Sequence, residues 1–540
     1  MLKTSANHLF RRLEQLNGIG AALSRERDIE RLLENILEAA KALTGADGGT
    51  LYRVTDDQSA LRFEIMRTDS LGIRQGGTTG QRINLPDLPL RRADGTPNDV
   101  LVAAHAAIHG LTVNIADVYA EAGFDFSGTR AFDRRTGYRS QSFLTVPMKN
   151  HDGELIGVLQ LLNALNPKTG EVVAFTEEDE SLTESLASQA AIALSNRLLI
   201  TQLERLFESF VKLINVAIDE KSPYTGGHCE RVPALTMMLA EAADATTTGP
   251  LADFHMTGRD RYELQMAGLL HDCGKITTPV HVVDKATKLQ TIYDRIGLID
   301  TRFEVLKRDA ELAALRAQLA LRPVVDAEAE AIALSGLQRE TQAIEADRAF
   351  LRRCNQGSEA MQEMDQLRVR VIGSQRHWRS VDGVHTAFLT AEEMENLTIR
   401  SGTLTQAERD TINYHIVATI KMLETLPWPN HLKNVPEYAG GHHERMDGKG
   451  YPRGLTREQM SVQARLMGVA DIFEALTAAD RPYKRGMKLS QALAIMQKMV
   501  HNGHIDPDLF DVFVRERVYQ RYAEQFLDPA QIDAVKGIVV

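Results

Sequence analysis

The sequence predicts a multidomain α+β chain: an N-terminal α/β domain on an antiparallel sheet, a long helical linker, and an all-α C-terminal domain with a helical-hairpin insertion. Three observations predict it. The 540 residues exceed what a single hydrophobic core organises. Helical and strand patterns alternate from residue 20 to 176, whereas from 222 onward almost every pattern is helical. Between them, residues 176–221 contain neither Pro nor Gly.

Each element has a local reason. Residues 1–19, with MLKTSANHLFRRLEQL, read as an amphipathic helix without the apolar core or cleavage site of a secretory signal. In the domain of residues 20–176, ERLLENILEAAKAL reads as an amphipathic helix, and GGTLYRV, LRFEIM, QSFLTVPMKN and LIGVLQLLN read as strands. Asp152-Gly153 predicts a hairpin between the last two strands. Within the linker of residues 177–221, Leu186, Ala193, Ile200, Phe207 and Ile214 recur at heptad spacing, with Leu182, Gln189, Asn196, Leu203 and Phe210 on the alternate seam. That pattern predicts a coiled coil and a parallel homodimer; a long helix buried against its own domain is the competing reading. Residues 222–540 form the helical domain, with charged amphipathic helices over about 296–372 around a break near Arg322-Pro323. They read as a hairpin arm, solvated or contacting a second copy.

The bulk numbers narrow the function. Hydrophobic residues at 43% and charged residues at 25% are ordinary for globular protein. The 62 basic and 73 acidic side chains give a net charge of -11, which disfavours polymeric nucleic acid and anionic membrane as partners. An anionic substrate therefore needs a local positive site, from metal ions or a few placed cations. Cys229, Cys273 and Cys354 are too few and scattered for a disulfide framework, which predicts a reducing, cytoplasmic setting. No apolar run reaches the ~18 residues of a spanning helix.

Ionisable residues interrupt apolar patterns in several separated segments. His228 shares a helical face with Val232, Leu235 and Leu239; His415 lies among Ile412, Ile416 and Ile420; Asp471 sits between Ala470 and Ile472. The pair His271-Asp272 ends an apolar helix at Gly274, and His442-His443 lies in the Gly-rich segment AGGHHERMDGKGYPRGL. One buried His is more often a hydrogen-bonded core residue. Several imidazoles and carboxylates together can share bound cations, and such ligands suit iron, manganese or zinc. Two such ions about 3.5–4 Å apart can hold a hydroxide nucleophile and bind phosphate oxygens during in-line displacement.

His271-Asp272 followed by Lys275 resembles the signature of HD-superfamily phosphohydrolases. His442-His443-Glu444, Asp447-Gly448 and Gly450-Tyr451-Pro452 resemble its extended HD-GYP form, and the likeness runs over most of residues 215–500. The resemblance implies metal ligands at His228, His271, Asp272, His415, His442, His443 and Asp471, with Asp272 as the bridge. It implies a catalytic role for Asp272 and Lys275, the latter at the scissile phosphate, and substrate contacts from Lys275, Gly450, Tyr451, Pro452, Arg481 and Lys484. Tyr224 stands where three-metal members have Glu, so two divalent ions, iron or manganese, are expected. The implied activity is hydrolysis of cyclic di-GMP by a metal-bridged hydroxide to linear pGpG, with GMP as the alternative end product. Another cyclic dinucleotide as substrate, or a signalling scaffold with weak chemistry, are the rival readings.

The segment FDRRTGYRSQSFLTVPMKNHDGELIGVLQLLN resembles GAF domains, which implies a small-molecule sensor regulating hydrolysis through the linker. Fold does not specify its ligand. Asn163, Phe175, Asp179 and Glu180 fit the spacing of nucleotide-binding GAF domains, but Ala164 stands where Lys is expected. Thr176 with Asp179 reads as a capping box for the helix that follows, and this structural role is preferred over ligand contact.

Overall fold

Alternating apolar residues form the expected strands in a computed structural model that describes residues 2–221, 227–320, 327–357, 360–479 and 486–535. The chain divides into two units, Met1–Phe207 and Glu208–Val540. No helix among the described residues is long and apolar enough to cross a membrane.

The first unit contains strands β1 (Ala46–Val54), β2 (Ala60–Thr68), β3 (Ile73–Gly76), β4 (Leu88–Pro89), β5 (Val113–Ile115), β6 (Phe143–Lys149), β7 (Leu155–Leu165) and β8 (Val172–Val173). Its helices are α1 (Leu2–Leu23), α2 (Ile29–Thr44), α3 (Val102–His109) and α4 (Ser127–Thr136), followed by the long α5 (Glu177–Lys221). The sheet order is β3-β2-β1-β7-β6-β5, with antiparallel pairings throughout. Successive residues point to opposite faces. Leu51, Leu144 and Leu159 pack with Leu33 and Ile36 of α2 and with Leu182 and Leu186 of α5. Tyr52 and Val158 face the other way, toward Ala103 and Ala107 of α3.

The strand-to-helix junction is built by its own side chains. Thr176 N donates to Asp179 Oδ2 at 3.0 Å, and Asp179 N donates back to Thr176 Oγ1 at 3.2 Å. Buried Asn163 accepts from Gln141 N at 2.7 Å, Phe175 is buried in the core, and Glu180 accepts from Asn114 Nδ2 at 3.0 Å. Asn163, Phe175, Asp179 and Glu180 thus hold backbone and core in place.

The heptad reading of α5 needs correcting. Leu182 and Leu186 belong to the core of the first unit, so the seam does not begin there. Beyond that region Leu199, Leu203, Leu206, Phe210 and Leu213 are exposed at spacings of four and three, while Val211 and Ile218 are buried and Phe207 and Ile214 half-buried. Ile200 is exposed as well, so the expected seam residues Ile200, Leu203 and Phe210 lie open together with Leu199, Leu206 and Leu213, while Phe207 and Ile214 are partly covered. An apolar helix carries two adjacent rows, and the chain itself covers one of them.

The second unit is mostly helical. It comprises α6 (His228–Asp244), α7 (Gly258–Leu270), α8 (Val280–Val283), α9 (Ile296–Ala320), α10 (Ala327–Asn355), α11 (Glu363–Gln375), α12 (Ala391–Leu397), α13 (Gln406–Glu424), α14 (Val435–Gly440), α15 (Val462–Thr477), α16 (Leu489–His501), α17 (Pro507–Arg515) and α18 (Val518–Phe526). A short hairpin, β9 (His377–Arg379) with β10 (His385–Ala387), accompanies them. α9 packs on α10, and Phe303, Ile344, Leu351, Val369 and Phe388 form a separate small core there. The break near Arg322-Pro323 lies outside the described residues. Buried Lys285 ties this part to α13, with Nζ 2.7 Å from Glu408 Oε2 and 2.7 Å from Asn396 Oδ1.

Candidate metal centre

Helix ends and helix faces gather the ionisable residues. His228 opens α6, His271 and Asp272 follow α7, His415 lies within α13, His442 and His443 follow α14, and Asp471 lies in α15. α6 packs against α7 and α15, while α14 packs against α7 and α13.

Gly274 makes the closest of these approaches possible, and its role differs from the helix-ending one expected. The turn Cys273–Thr277 lies on α13, and a Cβ at Gly274 would come 2.0 Å from His415 O and 2.5 Å from Thr419 N. Gly274 N donates to Thr419 Oγ1 at 2.9 Å. Its φ is not in the left-handed range. Absence of a side chain, rather than conformational freedom, therefore brings Asp272 up to His415.

Asp272 stands at the middle. Oδ2 lies 2.9 Å from His228 Nε2 and 3.2 Å from His271 Nε2, and Oδ1 lies 3.2 Å from His415 Nε2. His228, His271 and Asp272 form one triad of ligand atoms within 4.8 Å of one another; His415, His442 and His443 form another. Oδ2 of Asp272 thus belongs to the first triad, while Oδ1 faces the second. Asp471 is less buried, with Oδ1 3.4 Å from His228 Nε2.

Backbone carbonyls aim the imidazoles. Gly268 O, Ile412 O and Ala439 O lie 2.6, 2.5 and 2.6 Å from Nδ1 of His271, His415 and His442. Donation from Nδ1–H to each carbonyl leaves Nε2 with its lone pair toward the centre. His228 Nδ1 instead meets Glu474 Oε2 at 2.7 Å.

The charges are uneven. Burial opposes ionisation of Asp272, but Lys275 and His271 hold its carboxyl well below the usual range. Burial and Lys275 likewise oppose charge on His228, yet Glu474 and Asp272 outweigh them and push it up to about 9. Burial and His271 push His442 down to about 4, and burial with His442 and His415 keeps His443 well below the ordinary value. His442 and His443, neutral beside the ionised Asp272, are in their cation-binding forms, whereas His228 must give up its proton to bind a cation.

The residues fit divalent metal ions on a direct test. Asp272 Oδ1 and His442 Nε2 are buried without a hydrogen-bond partner. Each such atom costs about 1–3 kcal/mol if nothing satisfies it. A cation in each triad would satisfy both.

The remaining expected residues are unequally placed. Lys275 Nζ lies 2.5 Å from Asp272 Oδ2, at the half-buried edge of the centre. Tyr451 stacks on His443, ring centroids 4.9 Å apart at 16°. Gly450 has no room for a side chain, since a Cβ would lie 2.4 Å from Arg445 N and from Glu444 Cα. Pro452 is exposed in the same loop. Arg481, Lys484 and Tyr224 lie outside the described residues.

Two further residues carry the site without having been singled out. Glu474 accepts from Arg231 Nε at 2.9 Å and Nη2 at 2.6 Å while meeting His228. The signal was a second acid, three residues after Asp471, on the same apolar helix. Glu444, read only as part of a motif, clamps the loop by accepting from Arg453 N at 2.7 Å and Leu455 N at 2.9 Å.

Residues 28–194 match the GAF domain family, and residues 225–342 and 390–509 match HD domains. The chain combines a GAF domain with an HD domain. The interval between the two HD matches, residues 343–389, overlaps the later part of the expected insertion of about 296–372 and runs past it through β10. Over 88 residues the chain is 47% identical to a 3′3′-cGAMP-specific phosphodiesterase of Vibrio cholerae, covering 16% of this chain and 20% of that protein. Over 74 residues it is 49% identical to a cyclic di-GMP phosphodiesterase of Pseudomonas aeruginosa, covering 14% and 17%. Over 197 residues it is 35% identical to a dual 3′,5′-cyclic-AMP and -GMP phosphodiesterase of Takifugu rubripes, covering 36% and 20%. The chain thus matches no more than 20% of the length of any of these relatives. The GAF domain of an Acinetobacter phosphoenolpyruvate-protein phosphotransferase is similar at 14% identity, with 36% of this chain and 98% of that one covered and a TM-score of 0.26.

Proposed function

We propose that this chain is a metal-dependent phosphodiesterase that hydrolyses cyclic di-GMP to linear pGpG, with GMP as the alternative end product. The observation that carries the reading is the carboxylate of Asp272, whose Oδ2 sits with His228 and His271 and whose Oδ1 faces the triad of His415, His442 and His443. Two divalent cations held there, iron or manganese, would supply a Lewis acid for the phosphodiester and an activated water. His228, His271 and Asp471 would hold one ion and His415, His442 and His443 the other, with Asp272 shared between the two sets. Lys275 lies within reach of a phosphate oxygen at the open edge. The loop of Gly450, Tyr451 and Pro452, clamped by Glu444, forms a wall beside His443 for a guanine or ribose. Arg481 and Lys484 complete the phosphate contacts in this reading.

Cleavage of 3′3′-cGAMP is the second reading, favoured by the similarity to the Vibrio cholerae enzyme. Both substrates share the phosphodiester that the centre would attack. The GAF domain regulates hydrolysis through α5 in a homodimer, a reading supported by the exposed stripe from Leu199 to Leu213. The test is anaerobic reconstitution of the full chain with Fe(II) or Mn(II), incubation with each dinucleotide, and product identification by mass spectrometry. Turnover of cyclic di-GMP that vanishes in Asp272→Ala is expected. Turnover retained in that variant would overturn the metal mechanism, and absence of turnover with any cyclic dinucleotide would favour the scaffold.

A further inference from the structure

A second set of metal-type ligands lies in the GAF domain. His105 and His109 are four residues apart on α3, on one helix face, with ring centroids 4.5 Å apart. Asp99 precedes the helix and turns back on both rings: its Oδ1 lies 2.7 Å from His109 Nε2 and 3.7 Å from His105 Nδ1. One ligand atom from each residue lies within 4.8 Å of the others.

An Asp99–His109 ion pair explains part of this arrangement and leaves the rest. His105 Nδ1 is buried without a hydrogen-bond partner, 3.7 Å from the carboxylate oxygen that His109 already meets. A proton shared between Asp99 and His109 does nothing for that nitrogen. A cation between the three side chains would serve all of them.

We propose that Asp99, His105 and His109 bind a divalent transition-metal ion of the zinc or cobalt type, which makes the GAF domain a metal-responsive sensor. Two imidazoles and one carboxylate favour such an ion over magnesium or calcium, which prefer all-oxygen sites. Three protein ligands leave a position for water or an exogenous ligand. The side chains of Asp99 and His109 are 46% and 42% exposed, so the ion can enter from solvent. The site also joins separate parts of the domain. Phe124 packs edge-on against His105 at 5.2 Å, and Asp125 N donates to Val100 O at 2.7 Å, next to Asp99. Ion binding would therefore draw the segment at Asp99, α3 and the loop at Phe124 together.

The proposal does not rest on the phosphodiesterase reading, and its test separates the two centres. The full chain carrying Asp272→Ala is stripped with chelator and equilibrated with micromolar Zn²⁺ or Co²⁺; ions per chain are then counted by plasma mass spectrometry. Asp99→Asn and the double variant His105→Gln/His109→Gln are compared in that background. Both should lose one ion per chain, or bind it at least about tenfold more weakly, and lose the matching part of the Co²⁺ visible spectrum. An unchanged ion count and affinity in folded variants would overturn the site. If the double variant fails to fold, Asp99→Asn decides, because it keeps the shape of the side chain: loss of the ion supports the site and retention overturns it.

Discussion

His228 Nδ1 lies 2.7 Å from Glu474 Oε2, and both side chains are withdrawn from solvent. The pair joins α6 to α15 and turns the other ring nitrogen of His228 toward Asp272. Arg231 holds the second oxygen of Glu474, so the carboxylate cannot rotate away.

Replacing Glu474 by Gln keeps its shape and removes the charge that orients and polarises His228. Metal affinity at the HD centre should fall about 10- to 100-fold, with secondary structure unchanged. Calorimetric titration of the stripped protein measures it, and undiminished affinity would refute the positioning role.

Asp272→Asn removes the shared charge while nearly preserving volume. The centre should hold at most one ion with high affinity, compared with two in the parent, and hydrolysis should be lost. Metal analysis of the purified variant gives the first result and a product assay the second.

Glu444→Ala frees the backbone N–H groups of Arg453 and Leu455, which Glu444 accepts from at 2.7 and 2.9 Å. Leaving them unmet costs about 1–3 kcal/mol each and loosens the Tyr451 loop. Metal content should be preserved while KM for the dinucleotide rises; a change confined to metal content would argue against the clamp.

Asp506 caps α17 by accepting from Asp508 N at 2.8 Å and Leu509 N at 3.2 Å, and it pairs with Arg457 and Arg465. Its side chain is fully buried. Asp506→Ala leaves Arg465 without that buried partner and should destabilise the HD domain by about 3–5 kcal/mol, read from the urea midpoint.

The stripe of Leu199, Leu203, Leu206, Phe210 and Leu213 bears on the homodimer. Leu203→Glu with Phe210→Glu places like charges on that face and should convert a dimer into a monomer by light scattering. A parent chain already monomeric at micromolar concentration would remove the proposed route of regulation.

Much of this was legible in linear order. Heptads, alternating strands and an Asp-Gly turn are short-range patterns, and β1, β2, β6, β7 and α2 formed where they predicted. The pattern of α5 was readable only as apolar or polar. Which row of the helix meets its own chain depends on the surfaces it packs against, so Leu206 is exposed where Phe207 was expected on the seam.

The sequence by itself determined the residue types able to hold cations and the two domain resemblances, because His-Asp and His-His doublets in apolar or Gly-rich surroundings are chemically conspicuous. Only the tertiary structure decided that Oδ2 of Asp272 sits with His228 and His271 while Oδ1 faces the other triad, and that Glu474 orients His228. It also decided that Asp99 closes onto His105 and His109. These relations join residues far apart in sequence or across a helix boundary, and distances of 3 Å between such atoms follow from helix packing and from the missing side chain of Gly274, which no periodicity encodes.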